Sequence, residues 1–195
     1  MKKIIASIII LISCLIFTNG CQNEISFNTV KINSLYSLDL PEFMKPIQGM
    51  NNDASLQYGS LERNISVVVI PDKISDVNAM LDGYFKAIAL DENTHHAQDS
   101  VYGYGFDGYC SMVMYNTHNN CRNFHSIKTV DSEINDMKCR IYEYTAIFEN
   151  DTTYIQCAVY QGVSYYYQVQ AMTNKINIKA NADYIQRIVR TLKEL

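Results

Sequence analysis

Apolar and polar positions alternate with a period of two over residues 34–41, 54–59 and 64–70, and each stretch predicts a strand. The third is rich in β-branched residues (Ile65, Val67, Val68, Val69, Ile70), as in a strand buried on both faces, and Pro71-Asp72 is expected to end it. The period then changes. Ser75-Asp76 offers a cap to free first-turn amides, and Val77, Met80, Leu81, Tyr84, Phe85 and Ile88 make one apolar helical face. Residues 91–105 read as a loop and 106–116 as a second helix, with Phe106, Tyr109, Cys110, Val113 and Met114 on one side. Period two returns over 124–134, 139–148, 153–160 and 164–172, with turns at Asp136, 149–151 and Gln161-Gly162. Residues 182–192 close the pattern as an amphipathic helix whose apolar face is Tyr184, Ile185, Ile188, Val189 and Leu192. Antiparallel strands on tight turns, with helices of one apolar face, predict an α+β layered domain.

Ahead of this pattern lies a leader. Lys2 and Lys3 precede an apolar run over residues 4–17, shorter than the roughly 20 residues that cross a bilayer as a helix but suited to a signal peptide. The stretch SCLIFTNGCQ then carries Cys14 and Cys21. A small residue before a cysteine at the end of such a run resembles the lipobox of bacterial lipoproteins, in which the thiol takes a diacylglycerol and becomes residue one. Cys14 has the more usual neighbours, Leu11 and Ser13, but cleavage there would shorten the apolar run and leave Cys-Leu-Ile-Phe at the mature end. Cleavage before Cys21 uses the whole run and exposes polar Gln22-Asn23-Glu24. Cys21 is the expected lipidation site, against an ordinary secretory signal or an uncleaved leader. Residues 1–20 are then a signal peptide, 21–33 a tether and 34–195 a single domain. The implied location is the bacterial cell envelope, lipid-anchored outside the cytoplasm and facing the periplasm or the cell surface. Of six cysteines, Cys110, Cys121, Cys139 and Cys157 remain. An even number in an exported chain makes them candidates for disulfides, with buried free thiols as the alternative.

The chain carries a formal charge of −4, and the leader removes two lysines from it. No cluster of Lys and Arg appears in the sequence, which argues against nucleic acid as a partner and against adherence to anionic lipid by charge. Fifteen tyrosines and no tryptophan stand out. Tyrosine suits binding surfaces, but it also suits strands.

Candidate chemistry is sparse. His95, His96 and Asp99, with His118 and His125 later, are the only metal-like set, and adjacent histidines diverge in a strand, so no metal and no cofactor is expected. YGYGFDGY combines three glycines with four aromatics without the Lys and Ser/Thr of a phosphate loop. It reads as an aromatic lip over a ligand or as rings packed on the sheet edge. In SYYY, Tyr166 points opposite to Tyr165 and Tyr167. Tyr102, Tyr104, Phe106, Tyr109 and Tyr166 are the candidate ligand contacts. No nucleophile elbow occurs, and no catalytic residue is assigned.

Three stretches resemble the PsbP-like family: YSLDLPEFMKP at 36–46, INDMKCRIYEYTAIF at 134–148 with Asp136 where glycine is usual, and GVSYYYQVQAMT followed by YIQRIVRTLKEL, with Thr191-Leu192 where a Ser-Phe pair is usual. The resemblance spans residues 34–195. It implies an antiparallel sheet of about six strands flanked by helices, an α/β/α sandwich. The family includes a photosystem II extrinsic subunit, a Ran-binding import factor and many bacterial lipoproteins, and supplies no shared catalytic signature. The expected function is a non-catalytic binding, adaptor or assembly module. Its partners would be the membrane through an N-terminal lipid, and an envelope protein or a small-molecule or glycan ligand. The alternatives are an envelope hydrolase using His95, Asp99 and the 102–109 loop, or a purely structural lipoprotein.

Overall fold

The structure, a computed structural model, describes residues 25–90, 103–148 and 151–195. In chain order it contains β1 (Phe27–Ile32), β2 (Tyr36–Pro41), β3 (Lys45–Pro46), β4 (Leu56–Ser60) and β5 (Ile65–Lys73), then helices α1 (Ile74–Leu90) and α2 (Gly105–Asn119). Next come β6 (Arg122–Ile134), β7 (Met137–Phe148), β8 (Asp151–Gln161) and β9 (Tyr165–Asn174), a 3₁₀ turn (Lys175–Asn177), α3 (Ile178–Ile188) and β10 (Lys193–Glu194). Every strand pairing is antiparallel.

The main sheet has seven strands, in the order β3-β4-β5-β9-β8-β7-β6, rather than about six. The additional strand is the two-residue β3, which the sequence pattern predicts as loop. A second sheet, β1-β2-β10, joins both ends of the described chain. Its strand β1 lies in the stretch expected to be a tether. The alternation there is weak because only Phe27, Val30 and Ile32 pack on the core, while Asn28, Thr29 and Lys31 face solvent. Asn33 and Ser34, at φ 44° and 56°, close the β1–β2 hairpin, as residues in a primed turn do. Asn135 and Asp136, at φ 53° and 62°, do the same between β6 and β7.

Alternation along the central strands builds two cores. On one face Val67, Val69, Ile141, Ala158, Tyr167 and Val169 pack with Tyr36, Leu38 and Leu40 of β2 and with Ile185, Ile188 and Leu192. Each fully buried aliphatic side chain here contributes roughly 1.5–3 kcal/mol. On the other face Tyr144, Ile155, Cys157, Val159 and Tyr166 pack with Val77 and Leu81 of α1 and with Phe106, Tyr109, Cys110 and Val113 of α2.

Two expected boundaries move. Pro71 does not stop β5, which runs on to Lys73. Pro71 lies beyond Val69, the last residue paired by β4, so one flank of the strand is already unpaired where its N–H is missing. The last helix begins at Ile178 and ends at Ile188. Thr191 terminates it: its hydroxyl donates to the Ile188 carbonyl at 2.9 Å and accepts from the Asp39 amide at 3.0 Å, tying the helix end to β2. At the opposite edge, β6 has no second strand neighbour among the described residues, and its pairing with β7 is interrupted by register shifts between Arg122 and His125 and between Ser126 and Lys128.

Candidate functional site

The turn of the β1–β2 hairpin, the turn between β8 and β9, and β10 meet at one end of the molecule and enclose an open groove of about 430 Å³. Pairing of β10 with β2 (Lys193 with Ser37, Glu194 with Tyr36) brings these distant segments together. The Leu195 amide extends the ladder by donating to the Leu35 carbonyl at 3.1 Å. Glu194 is the tie. Its carboxylate accepts from the Val163 amide at 2.8 Å and from the Tyr167 hydroxyl at 2.9 Å. A Cβ on Gly162 would sit 2.4 Å from that carboxylate, so glycine at this turn is what lets the acid approach the backbone.

Leu35, Val163, Tyr165 and Leu195 supply the apolar lining, with Ser34 and Ser164 at the rim. Tyr165 and Tyr167 lie 6.0 Å apart and 33° from parallel, and Tyr36 meets Tyr167 edge-on at 5.4 Å. Burial, and then the neighbouring Glu194 carboxylate, push the Tyr167 hydroxyl above its ordinary range, so it stays a protonated donor. The groove thus offers a half-buried tyrosine ring, aliphatic walls and hydroxyls, a combination that stacks on a flat or amphipathic group. No imidazole or thiol lines it.

The expected aromatic contacts lie elsewhere. Tyr166 is buried on the far face, stacked on Tyr109 at 4.3 Å and 15°, with Phe106 6.3 Å away. Alternation was the correct signal, but Tyr165, the neighbour of Tyr166, carries the open ring. Tyr109 donates its hydroxyl to Asp72, and Gln168 donates to both the Tyr109 oxygen (2.8 Å) and Asp72 (3.1 Å), so this ring is committed to an internal network. Tyr104 is 65% exposed and packs on Phe85 at 4.4 Å. Tyr102, His95, His96 and Asp99 lie outside the described residues. His118 meets Phe124 edge-on at 5.5 Å, and His125 lies exposed on β6. Among the described residues no three His, Cys, Asp or Glu side chains converge as a metal site would require.

The glycines of the YGYGFDGY stretch have a structural cause. Gly105 adopts φ +61° at the start of α2, and a Cβ on Gly108 would lie 1.8 Å from the Gly103 carbonyl oxygen. They let the chain fold back on the first turn of the helix.

No disulfide joins the four cysteines; all are free thiols. Cys139 and Cys157 belong to opposite cores, which rules out their pairing. Cys110 shares a core with Cys157 but forms no disulfide with it. Burial pushes the Cys110 thiol up to about 11 and that of Cys139 to about 12, and raises Cys157 further. Such thiols are inert core residues.

No protein-family model matches the sequence, and no curated protein matches it. Solved structures do. The chain superposes on cyanobacterial PsbP (CyanoP) from Synechocystis sp. PCC 6803 with a TM-score of 0.56 at 12% identity, over 91% of this chain and 98% of that one. The fold is PsbP-like. Two further structures resemble it less closely. LpqN of Mycobacterium tuberculosis, described as involved in cell envelope biogenesis, gives a TM-score of 0.49 at 10% identity over 88% of this chain and 92% of that one. A protein of unknown function from Pseudomonas aeruginosa gives 0.47 at 11% over 85% and 94%. In this PsbP-like domain the groove is formed where the small β1-β2-β10 sheet meets the end of β9. Among the described residues, no helix is long and apolar enough to cross a membrane.

Proposed function

We propose that this chain is a lipid-anchored protein of the bacterial cell envelope, held by a diacylglycerol on Cys21. It acts without catalysis as a binding module whose ligand site is the groove around Tyr165. The observation that carries the reading is the groove itself: backbone pairing of β10 with β2 and the bonds of the Glu194 carboxylate to Val163 and Tyr167 draw three separate chain segments together, and leave an aromatic ring and aliphatic walls open. The leader ending in Asn19-Gly20-Cys21-Gln22 supports the anchor. The ligand class that fits is a small amphipathic ring, such as a sugar or an aromatic side chain of an envelope protein. The helices that share the two cores with the main sheet fit an α/β/α sandwich.

The test has two parts. Intact mass of membrane-extracted protein reads acylation directly, and Cys21→Ser releases the product from the membrane. A screen of glycans and peptides against wild type and Tyr165→Ala then reads the groove: binding is expected and is lost in the variant with unchanged thermal stability. Turnover of a hydrolase substrate that point changes in one pocket abolish would overturn the non-catalytic reading.

A further inference from the structure

The end of the domain opposite the groove carries apolar side chains that no described residue covers. Leu61, in the turn between β4 and β5, is 97% exposed, and Ile176, in the 3₁₀ turn, is 89% exposed. The two turns are physically joined. Thr173 donates its hydroxyl to the Asn64 carbonyl at 2.6 Å, the Asn174 amide donates to the Asn64 side chain at 3.1 Å, and Asn181 donates to the Arg63 carbonyl at 2.8 Å. Beside them is an aromatic cluster capped by guanidinium groups. Phe27 and Phe43 both contact Tyr184, at 6.5 and 5.5 Å between ring centres, and Arg187 lies 3.7 Å over Phe27 while Arg63 lies 4.3 Å over Phe43.

Phe27 also opens β1. Since β1 absorbs most of the stretch expected to be a tether, only Gln22 to Ser26 separate it from Cys21. That link spans roughly 20 Å at full extension, less than the depth of a small domain. A lipid at Cys21 would therefore hold this end of the molecule, and not the groove, against the bilayer.

We infer that the surface formed by Leu61, Ile176, Phe27, Phe43 and their two arginines docks into the headgroup region of the membrane. This rests on the anchor proposed above and adds an orientation to it. Leu61 and Ile176 reach into the boundary between headgroups and acyl chains, as apolar side chains of interfacial proteins do. The guanidinium groups of Arg63 and Arg187 lie over the Phe43 and Phe27 rings, and both residues are exposed, so their N–H edges face the lipid phosphates in the docked state. The acidic net charge does not oppose this, because fields are screened beyond about 8 Å; at the contact itself the exposed Glu62 stands beside Arg63, and Lys175 stands beside Ile176. Glu42, at the same end, accepts from Ser26. The groove then opens away from the membrane.

The absence of tryptophan provides the test. Leu61→Trp, Ile176→Trp and Val163→Trp each introduce a single reporter at an exposed position, the last on the groove wall and itself 89% exposed. The full chain, extracted from membranes, is reconstituted in phosphatidylethanolamine–phosphatidylglycerol vesicles with or without brominated acyl chains, and flotation reports the anchor independently. Expected is a blue shift and bromine quenching at positions 61 and 176, with position 163 unchanged. Equal quenching at all three positions overturns the orientation. No quenching in a chain that floats overturns docking and leaves the anchor standing. Quenching at 61 and 176 on added vesicles in a chain that does not float removes the anchor and keeps the docking surface. A blue shift that grows with protein concentration in the absence of vesicles marks contact with a second copy and overturns the proposal.

Discussion

Gly108 and Gly103 touch through backbone: the position a methyl would take on the first lies 1.8 Å from the carbonyl oxygen of the second. The contact sets the angle at which the chain joins α2, and the Gly108 amide donates to the Tyr104 carbonyl at 3.2 Å to hold it. Gly108→Ala is expected to cost about 1–3 kcal/mol, the range for overpacking. Gly83→Ala is the control, because open space surrounds Gly83 within α1, and it should stabilise by about 1 kcal/mol. Urea midpoints of opposite sign check the pair.

Asp136 occupies a left-handed position at φ 62° in the β6–β7 turn. Glycine adopts that conformation without the Cβ clash, so Asp136→Gly should raise stability by about 0.5–1 kcal/mol. A fall in the urea midpoint would show that the carboxylate makes a contact that outweighs its backbone strain.

Thiol chemistry should separate the cysteines. Cys121 is half-buried, whereas Cys110, Cys139 and Cys157 are buried. An aromatic disulfide reagent at pH 8 should modify Cys121 in the native protein and the other three only after denaturant is added. Fast native reaction at Cys157 would contradict the packing of β8.

Stability should fall in alkali. The Cys110 and Cys139 thiols are raised by burial from 9.0 to about 11 and about 12, and Tyr36 is raised by burial from 10.0 to about 12. These groups stay protonated in the folded chain above pH 9–10 while the unfolded chain loses their protons. Their contribution is complete below pH 9 and is lost as pH climbs toward the folded values, at about 1.4 kcal/mol per group per pH unit. Denaturation followed from pH 8 to 11 should show this loss, and Cys139→Ala should make it shallower.

Asn181 is 1% exposed and divides its amide between the Arg63 carbonyl and the Thr173 hydroxyl, each at 2.8 Å. Asn181→Ala removes the donor from the part-buried Arg63 carbonyl and the buried Thr173 hydroxyl and should cost about 1–3 kcal/mol. Faster proteolysis at the 61–64 turn would locate the damage.

The long strands β7, β8 and β9 are legible because apolar alternation and short turns coincide there, and Asp136 marks its turn correctly. Strand β1 is not, since Asn28, Thr29 and Lys31 face solvent and the residues that meet the core, Phe27, Val30 and Ile32, are unevenly spaced. Pro71 misleads for a different reason: a proline stops a strand only where the flank its N–H would face is paired. The groove escapes sequence reading because Leu35, Tyr165 and Glu194 are brought together by a strand of two residues. The aromatic glycine stretch attracts a ligand reading because its spacing shows composition, whereas the contact between Gly103 and Gly108 exists only once α2 is folded.

The two register shifts in β6 have a consequence for behaviour at high concentration. An outer strand with its donors and acceptors in even sequence is a template on which another molecule can add, and repetition of that step gives fibres. Here the row of backbone groups falls out of phase twice within the first half of the strand. A newcomer finds an even stretch to copy only over Lys128–Ile134, so the shifts cut the template to the second half of the strand and weaken that route to a polymer.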